Sequence, residues 1–230
     1  MPDELLQRLR RFREDAFPRY RVQFKVLVED GQHPKTLFIG CSDSRMVPYM
    51  LTGTGPGELF MVRNVGALVP PCCGTPDGGH HGTAAAIEFA VLQLDVQRII
   101  VCGHTHCGAI RALYEDLSPE AVNLGAWLDL ARDAVLPVQS TPEALRRTEQ
   151  RAIALQLERL MEYPMVRRRV DAGVLTLHGW HYVIEDGEVN VFDFQTGAFV
   201  PASSLGDDDV AGSTPLAGLS ERADPHPLQP

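Results

Sequence analysis

Short apolar runs bounded by glycine alternate with longer amphipathic stretches along most of the chain. Residues 36–40 and 98–103 are rich in Ile and Val, a pattern typical of strands buried on both faces of a parallel sheet. Residues 59–65 and 174–178 predict two further strands. The alternating segment 180–194, with an Asp-Gly pair near its centre, predicts an antiparallel hairpin.

Apolar positions at helical spacing predict helices between these strands. The predicted helices are 3–17, 19–29, 83–94, 108–117, 119–133 and 142–161, with a short helix permitted at Pro48. Pro18 is expected to interrupt the first two, and Thr83 to cap the helix that it begins. Because strand, helix and strand follow one another, right-handed parallel crossovers are expected. The chain is therefore predicted to be an α/β protein, with a central, mostly parallel sheet flanked by helices and an antiparallel C-terminal hairpin.

The chain divides into three predicted parts. Residues 1–30 form a helical arm, residues 31–200 contain every predicted strand and form one α/β domain, and residues 201–230 form a tail. The tail is rich in Ser, Gly, Asp and Pro and has no aromatic residue, a composition typical of disorder.

Composition narrows the class of protein. The net charge of −9 leaves no basic stripe for phosphates, which argues against nucleic acid as a partner. No apolar run approaches the length of a membrane span, and the first residues lack the apolar core of a secretory signal. We therefore expect a cytoplasmic protein. Five cysteines in that compartment favour metal binding over a disulfide framework.

Polar clusters follow the two most apolar predicted strands. Cys-Ser-Asp-Ser-Arg occupies residues 41–45, and His-Thr-His-Cys-Gly occupies residues 104–108. The carboxyl ends of parallel strands are where open α/β sheets bind ligands. Cys41, His104 and Cys107 supply the sulfur and nitrogen ligands that zinc prefers, and three protein ligands leave one position for chemistry. The sequence therefore predicts a catalytic zinc site.

Asp43 is the remaining zinc-capable side chain of these clusters. Two thiolates offset the charge of Zn²⁺, so a neighbouring group is needed to orient the reacting water. Asp43, held by a bidentate ion pair with Arg45, can accept that hydrogen bond. If Arg45 released it, the same carboxylate could bind zinc and close the fourth position. Both states stay open at this point.

Together these motifs resemble the β-class carbonic anhydrases. The resemblance runs from about residue 32 to 194 and includes Pro-Gly-Glu at 56–58, Arg-Asn-Val at 63–65 and Leu-His-Gly-Trp at 177–180. It implies that Cys41, His104 and Cys107 bind zinc, that Asp43 and Arg45 form a catalytic dyad, and that residues 31–200 are a zinc-binding catalytic domain. The implied reaction is the reversible hydration of carbon dioxide to bicarbonate and a proton, through attack by zinc-bound hydroxide.

The resemblance also implies a quaternary structure and a substrate pocket. The expected assembly is a homodimer or higher homo-oligomer in which the amino-terminal helices pack on the partner subunit. Gln32 corresponds to a substrate-facing glutamine from the neighbouring subunit, and Val65 and Gly66 correspond to residues lining an apolar pocket. Arg63 and Tyr182 match an effector site for bicarbonate, whereas Phe38 replaces its tryptophan and removes a donor.

The proton released by this reaction needs a route to solvent. His106, His80 and His81 are candidate relays, because histidine titrates near neutral pH; each could equally be a surface or supporting histidine. Two other functions stay open: a hydrolase of a linear molecule such as carbon disulfide, and a catalytically silent, zinc-stabilised scaffold. The tail 201–230 could dock to a partner, for instance in a bacterial microcompartment.

Overall fold

A six-stranded mixed sheet runs through the computed structural model, which describes residues 3–72 and 81–206. The strands are β1 Thr36–Cys41, β2 Leu59–Asn64, β3 Arg98–His104, β4 Thr176–Val183, β5 Glu188–Asp193 and β6 Ala198–Pro201, in the order β2-β1-β3-β4-β5-β6. The first four are parallel, and β4, β5 and β6 are antiparallel. The predicted fold class is confirmed, and β6 adds a strand that the pattern did not predict.

Eight α-helices lie in the described residues: α1 Glu4–Arg11, α2 Phe17–Glu29, α3 Pro48–Thr52, α4 Gly82–Leu92, α5 Gly108–Ala112, α6 Val122–Leu128, α7 Pro142–Leu160 and α8 Pro164–Asp171. A π-helical turn, Phe12–Ala16, joins α1 to α2. Tighter 3₁₀ turns occupy Val65–Ala67, Asp129–Ala134 and Ala202–Ser204. No helix of the described residues has both the length and the apolar content needed to cross a bilayer.

Alternate strand residues pack on opposite faces of the sheet. On the first face, strand residues such as Leu37, Ile99 and Leu177 join side chains of α4, α7 and α8 in the main core. α7 packs closely against β3 and β4, because Ile153 fits over two glycines: a Cβ at Gly103 or Gly179 would lie 2.9 or 3.0 Å from its side chain. This contact fixes the position of α7 beside the carboxyl end of β3.

The second face of the sheet has a smaller cluster. Phe38, Ile100 and Cys102 are buried there with Met46, and Trp180 meets Phe38 edge to face. Cys102 is fully buried, as predicted for a core cysteine, and burial raises its pKa. Beside this cluster lies an open groove of about 690 Å³, whose walls include Ile100, His178 and Trp180.

Pro18 does not interrupt the amino-terminal helix, so that prediction is wrong. The chain is helical from Glu4 to Glu29 because the π turn before α2 accommodates the proline. Within this turn the N–H of Phe17 bonds to the carbonyl of Phe12, five residues back. The wider turn changes the backbone hydrogen-bond pattern next to Pro18, which lies in the first turn of α2 and has no N–H to donate.

Three other predicted boundaries also differ from the structure. α4 begins at Gly82 with His81 as its N-cap, and the Thr83 hydroxyl instead lies 3.1 Å from the Asn64 amide nitrogen. The helices predicted at 108–117 and 119–133 are shorter in the structure. After at most two α-helical turns, each continues as tighter turns in which an N–H bonds to the carbonyl three residues back. The described chain continues through β6 and the turn after it to residue 206, and residues 207–230 of the predicted tail lie outside the described residues.

Candidate metal centre

The three predicted ligands meet at one edge of the sheet. Cys41 ends β1 and His104 ends β3, and these neighbouring parallel strands deliver both side chains to the same edge. Cys107 precedes α5 after a tight turn. One ligand atom from each lies within 4.8 Å of the other two, and all three residues are buried. This is the compact, buried donor set that a metal ion requires.

The hydrogen bonds of His104 test whether a metal fits. Its Nδ1 lies 2.8 Å from the carbonyl oxygen of Thr105, which accepts a hydrogen bond from an Nδ1–H. That tautomer leaves a lone pair on Nε2, which is buried without a hydrogen-bond partner among the residues that the structure describes. An unsatisfied buried nitrogen is unfavourable. A metal ion facing the two sulfurs would satisfy it, and two thiolates with an imidazole are a donor set that suits zinc.

The two thiols are electrostatically linked. A hydrogen bond from Cys107 lowers the pKa of Cys41, more than burial raises it. The same contact, together with burial, raises the pKa of Cys107. The ionisation of each thiol therefore depends on the other. Metal ligation requires thiolates, so binding of a divalent ion at this pair is coupled to proton release.

Asp43 and Arg45 form the predicted bidentate pair beside these ligands. The guanidinium donates from Nε to Oδ1 over 2.9 Å and from Nη2 to Oδ2 over 2.7 Å, and the backbone N–H of Arg45 also bonds to Oδ1. The Arg45 hydrogen bond holds the pKa of the Asp43 carboxyl well below its usual range. Oδ2 lies 3.8 Å from His104 Nε2, too far for a hydrogen bond. Oδ2 of this carboxylate therefore has a lone pair available to accept a hydrogen bond at the metal position.

Arg63 supports the loop that carries Cys41 and Asp43. Its Nε donates to the carbonyl of Cys41 over 3.0 Å, and its Nη2 donates to the carbonyl of Asp43 over 2.7 Å. Tyr182 packs partly buried against the apolar cluster of Phe38 on the second face of the sheet. The structure therefore gives Arg63 a positioning contact that its predicted effector role did not include.

Gly66 lies in the wall of a cavity beside the ligands. The cavity measures about 10 Å³, and His104 and Cys107 also line it. Gly66 has φ 84°, and a Cβ there would lie 3.2 Å from the Cβ of Ala109. Its neighbour Val65 is 41% exposed, and the Val65 carbonyl accepts a hydrogen bond from Trp127 Nε1 over 2.7 Å.

The remaining predicted site residues lie at the surface or outside the described residues. His106 is exposed, has φ 58° and places Nε2 3.5 Å from Glu185 Oε1. His81 meets the Trp127 ring, with 6.4 Å between ring centroids, and His80 lies outside the described residues. Gln32 is exposed and precedes β1, whereas Cys41 is the last residue of that strand, so the length of β1 separates the two.

Sequence reasoning missed two residues next to the ligands. Glu149 of α7 accepts a hydrogen bond from the N–H of Cys107 over 3.2 Å, and its other carboxylate oxygen lies 3.0 Å from Nε2 of His181. Both side chains are buried. A signal was present: Glu149 occupies the same helical stripe as the core residues Ile153 and Leu157, and His181 falls in the same alternate, buried positions of β4 as Leu177 and Val183.

Fold and site together define an α/β protein with a Cys₂His group that could hold a metal ion at the carboxyl end of its parallel strands, next to a carboxylate and guanidinium pair. The family model described as carbonic anhydrase matches residues 36–189. The chain belongs to the carbonic anhydrase family, in its β class.

Individual relatives agree with this assignment. The chain is 39% identical to a carbonic anhydrase of Synechococcus elongatus over 194 residues, which cover 81% of this chain and 70% of that one. Its fold is similar to the solved structure of the β-carbonic anhydrase CcaA, with a TM-score of 0.79 and 37% identity over 87% of this chain and 91% of that one. It is also similar to the tetrameric β-carbonic anhydrases of Sordaria macrospora, with a TM-score of 0.68 and 27% identity over 82% of this chain and 97% of that one.

Proposed function

We propose that this chain performs the carbonic anhydrase reaction, the reversible hydration of carbon dioxide to bicarbonate and a proton, at a zinc ion held by Cys41, His104 and Cys107. Family membership supports the reaction. One observation carries the zinc site: a ring nitrogen of His104 lies within 4.8 Å of two buried sulfurs, and Nε2 of the same ring is buried without a hydrogen-bond partner among the described residues.

The residues around the proposed ligands have separate roles in the reaction. A bound zinc ion supplies a Lewis acid that makes water nucleophilic near neutral pH. Asp43 accepts a hydrogen bond from the attacking water through the free lone pair of Oδ2 and so orients it. Arg45 keeps this carboxylate ionised and fixes its plane through two parallel hydrogen bonds. Gly66 keeps the wall of the proposed substrate pocket beside His104 free of a side chain.

The same dyad decides whether Asp43 could act as a metal ligand instead. To reach the metal position, the carboxylate would have to give up the paired hydrogen bonds to Arg45. Arg45 also donates to the carbonyl of His106 over 3.0 Å, which anchors the guanidinium on the opposite motif. The arrangement of these side chains favours the open, catalytically competent state.

Of the two candidate proton relays that the structure describes, His106 is the better placed. It follows the ligand His104 by two residues, and 59% of its side chain is exposed to solvent. The carboxylate of Glu185, 3.5 Å away, also contacts Arg146 over 3.1 Å, so a polar surface leads outward from the ring. We propose that protons leave the site along this side.

Exposed apolar surface supports a homo-oligomer. Leu5, Leu6, Leu9 and Phe12 are between 48% and 68% exposed on the amino-terminal helix. The second face of the sheet has an apolar groove that no helix of the described chain fills. Clustered apolar surface of this kind marks protein interfaces. The Sordaria relatives are tetrameric, and Gln32, remote from its own Cys41, would reach an active site only in a neighbouring subunit.

A catalytically silent scaffold is not supported, because Asp43 and Arg45 have their full bidentate geometry. A cytoplasmic or microcompartment location and a docking role for the tail stay predictions of the sequence.

Stopped-flow measurement of CO₂ hydration on zinc-loaded protein tests the proposed function. The wild type should accelerate hydration well above the uncatalysed rate. Asp43→Asn should lose about 10²-fold or more at equal zinc content, within the usual contribution of a positioned proton acceptor. Asp186→Asn, which changes an exposed carboxylate in the turn after β4, is the matched control and should behave as wild type. A zinc-loaded wild type no faster than buffer would refute the function.

A further inference from the structure

The peptide bond between His106 and Cys107 is held at both ends. Its carbonyl oxygen accepts a hydrogen bond from Arg45 Nη2 over 3.0 Å, and its N–H donates to Glu149 Oε1 over 3.2 Å. The C=O and N–H of a trans peptide point in opposite directions within one plane. Arg45 and Glu149 therefore fix this plane from opposite sides, directly before the Cα of Cys107.

The local backbone needs this support. His106 has φ 58°, a left-handed conformation that is uncommon for a residue with a side chain. α5 is only five residues long, and no side chain caps its first turn from within the motif. A residue in the left-handed region is strained, and an isolated helix of five residues is not stable in itself, so neither is expected to orient Cys107 alone. The direction of the Cys107 Sγ atom depends on what holds the preceding peptide.

Glu149 is itself held by His181. Oε2 lies 3.0 Å from His181 Nε2, and the two side chains are 3% and 0% exposed. The His181 ring meets Phe199 edge on, and its Nδ1 is buried without a hydrogen-bond partner in the described part of the chain. The contact thus links α7 to β4 beneath the metal site. Two elements of the rigid core determine where the carboxylate sits.

Packing alone does not account for this pair. Burying a carboxylate is costly, and apolar side chains of similar size often stabilise a core as well or better. Ile153 and Leu157 fill the same stripe of α7 with apolar side chains. What an apolar residue cannot do at position 149 is accept the hydrogen bond from Cys107.

We propose that Glu149, held by His181, is a positioning residue that aims the Cys107 thiolate at the metal. This inference rests on the proposed zinc site. Groups that hydrogen-bond to a metal ligand typically lower metal affinity by about 10- to 100-fold when they are removed. Glu149 acts here through the ligand's backbone, and Arg45 acts on the same peptide from the side of the Asp43 carboxylate.

The most informative variant replaces the pair by apolar residues, Glu149→Met with His181→Phe. It leaves no unpaired buried charge, so the protein should still fold, with a melting temperature lowered only by the loss of the acceptor for the Cys107 N–H. Its zinc dissociation constant, measured by chelator competition, should rise about 10- to 100-fold. In the cobalt-substituted protein, the sulfur-to-cobalt charge-transfer bands should shift, because they report the geometry at the cysteine ligands.

Two single variants separate positioning from general stability. Glu149→Gln keeps an oxygen acceptor for the Cys107 N–H and should retain zinc affinity within a fewfold of wild type. Thr148→Val removes the Tyr114 contact of 2.6 Å from a buried residue one position away on α7. It should lower the melting temperature without changing zinc affinity or the cobalt spectrum.

The outcomes distinguish this inference from the proposed function. If wild type binds zinc and hydrates CO₂ while the double variant shows unchanged zinc affinity and cobalt spectrum, the positioning role is refuted and the function stands. An equal loss of zinc affinity in Thr148→Val would also refute it, since any weakening of α7 would then suffice. A wild type that binds no zinc would refute the proposed site itself.

Discussion

Arg45 faces Asp43 fork to fork, with Nε 2.9 Å from Oδ1 and Nη2 2.7 Å from Oδ2. Both residues lie within five positions of Cys41, so a single short segment supplies a proposed metal ligand, a carboxylate and the group that orients it. The guanidinium also bonds to the carbonyl of His106, which ties this segment to the one that carries the other two ligands.

Arg45→Lys should separate charge from geometry at this pair. Lysine keeps a positive charge but loses the planar fork, so it cannot hold both carboxylate oxygens and the His106 carbonyl together. Because small misplacements of a reacting group are costly, kcat/KM for CO₂ hydration should fall by about 10²-fold at unchanged zinc content. Arg132→Lys, which alters an exposed arginine bonded to Asp129, is the control and should retain full activity. Equal activity in the two variants would show that only the charge of Arg45 matters.

Gly66→Ala should impair activity beyond its effect on stability. Gly66 has φ 84°, so alanine there should cost about 1–2 kcal/mol of folding free energy. Its methyl group would also press on Ala109, and Gly66 itself lines the cavity beside His104. Gly173→Ala is the matched control, since it has φ 70° but open space around the added Cβ. Thermal unfolding should shift similarly in both, and only Gly66→Ala should lose CO₂ hydration; comparable activity in the two would contradict the proposed pocket.

His178 should make the protein less stable in mild acid. Burial, reinforced by the charge of Arg98, lowers the pKa of His178 in the folded state. Protonation then favours the unfolded chain, whose histidine has a pKa of about 6.5. The stabilising effect is complete above that pH and is lost below it, by up to about 1.4 kcal/mol per pH unit, until the pH reaches the folded pKa.

Denaturant titrations at pH 7.5 and 5.5 can measure this effect. His178→Gln should lose less stability between the two pH values than wild type does. His33→Gln, a change at an exposed histidine, should follow wild type. An identical pH dependence in all three proteins would mean that His178 is not responsible.

Leu9→Glu should weaken self-association. Leu9 is 62% exposed on α1, in the middle of the exposed apolar stripe. A buried, unpaired carboxylate in a subunit interface is strongly unfavourable, so the mass measured by sedimentation should shift toward the monomer. Val122→Glu places the same charge on a valine that is 73% exposed on α6, and it should leave the mass unchanged. If Leu9→Glu kept the mass of wild type, the amino-terminal helix would not be part of the interface.

The sheet and the ligand cluster could be predicted because their signals are local. β1 and β3 are short, mostly apolar runs, and each has a glycine as its second-last residue. The polar motif begins at the last residue of each strand. Parallel pairing then requires Cys41 and His104 to meet at one edge. Helix ends were harder, because the π turn before Pro18 and the early tightening after α5 depend on hydrogen bonds that hydrophobic spacing does not reveal.

Glu149 and His181 were missed because their partners are remote in sequence. Glu149 is 42 positions from Cys107, and in the sequence it resembles one more charge on a helix with several. Only its place in the buried stripe of α7 distinguishes it, and that stripe is defined by how closely α7 approaches Gly103 and Gly179. A charged residue at a core position is therefore the sequence signal to examine in related chains.

Titration of the zinc-free enzyme with zinc, followed by stopped-flow CO₂ hydration, tests the central claim most directly. Activity should be negligible without the metal, rise in proportion to added zinc and reach a plateau at one ion per chain. Cys107→Ser should bind zinc weakly and stay far below that plateau. Full activity in the zinc-free protein, or tight binding of one zinc ion per chain without any hydration of CO₂, would contradict the account.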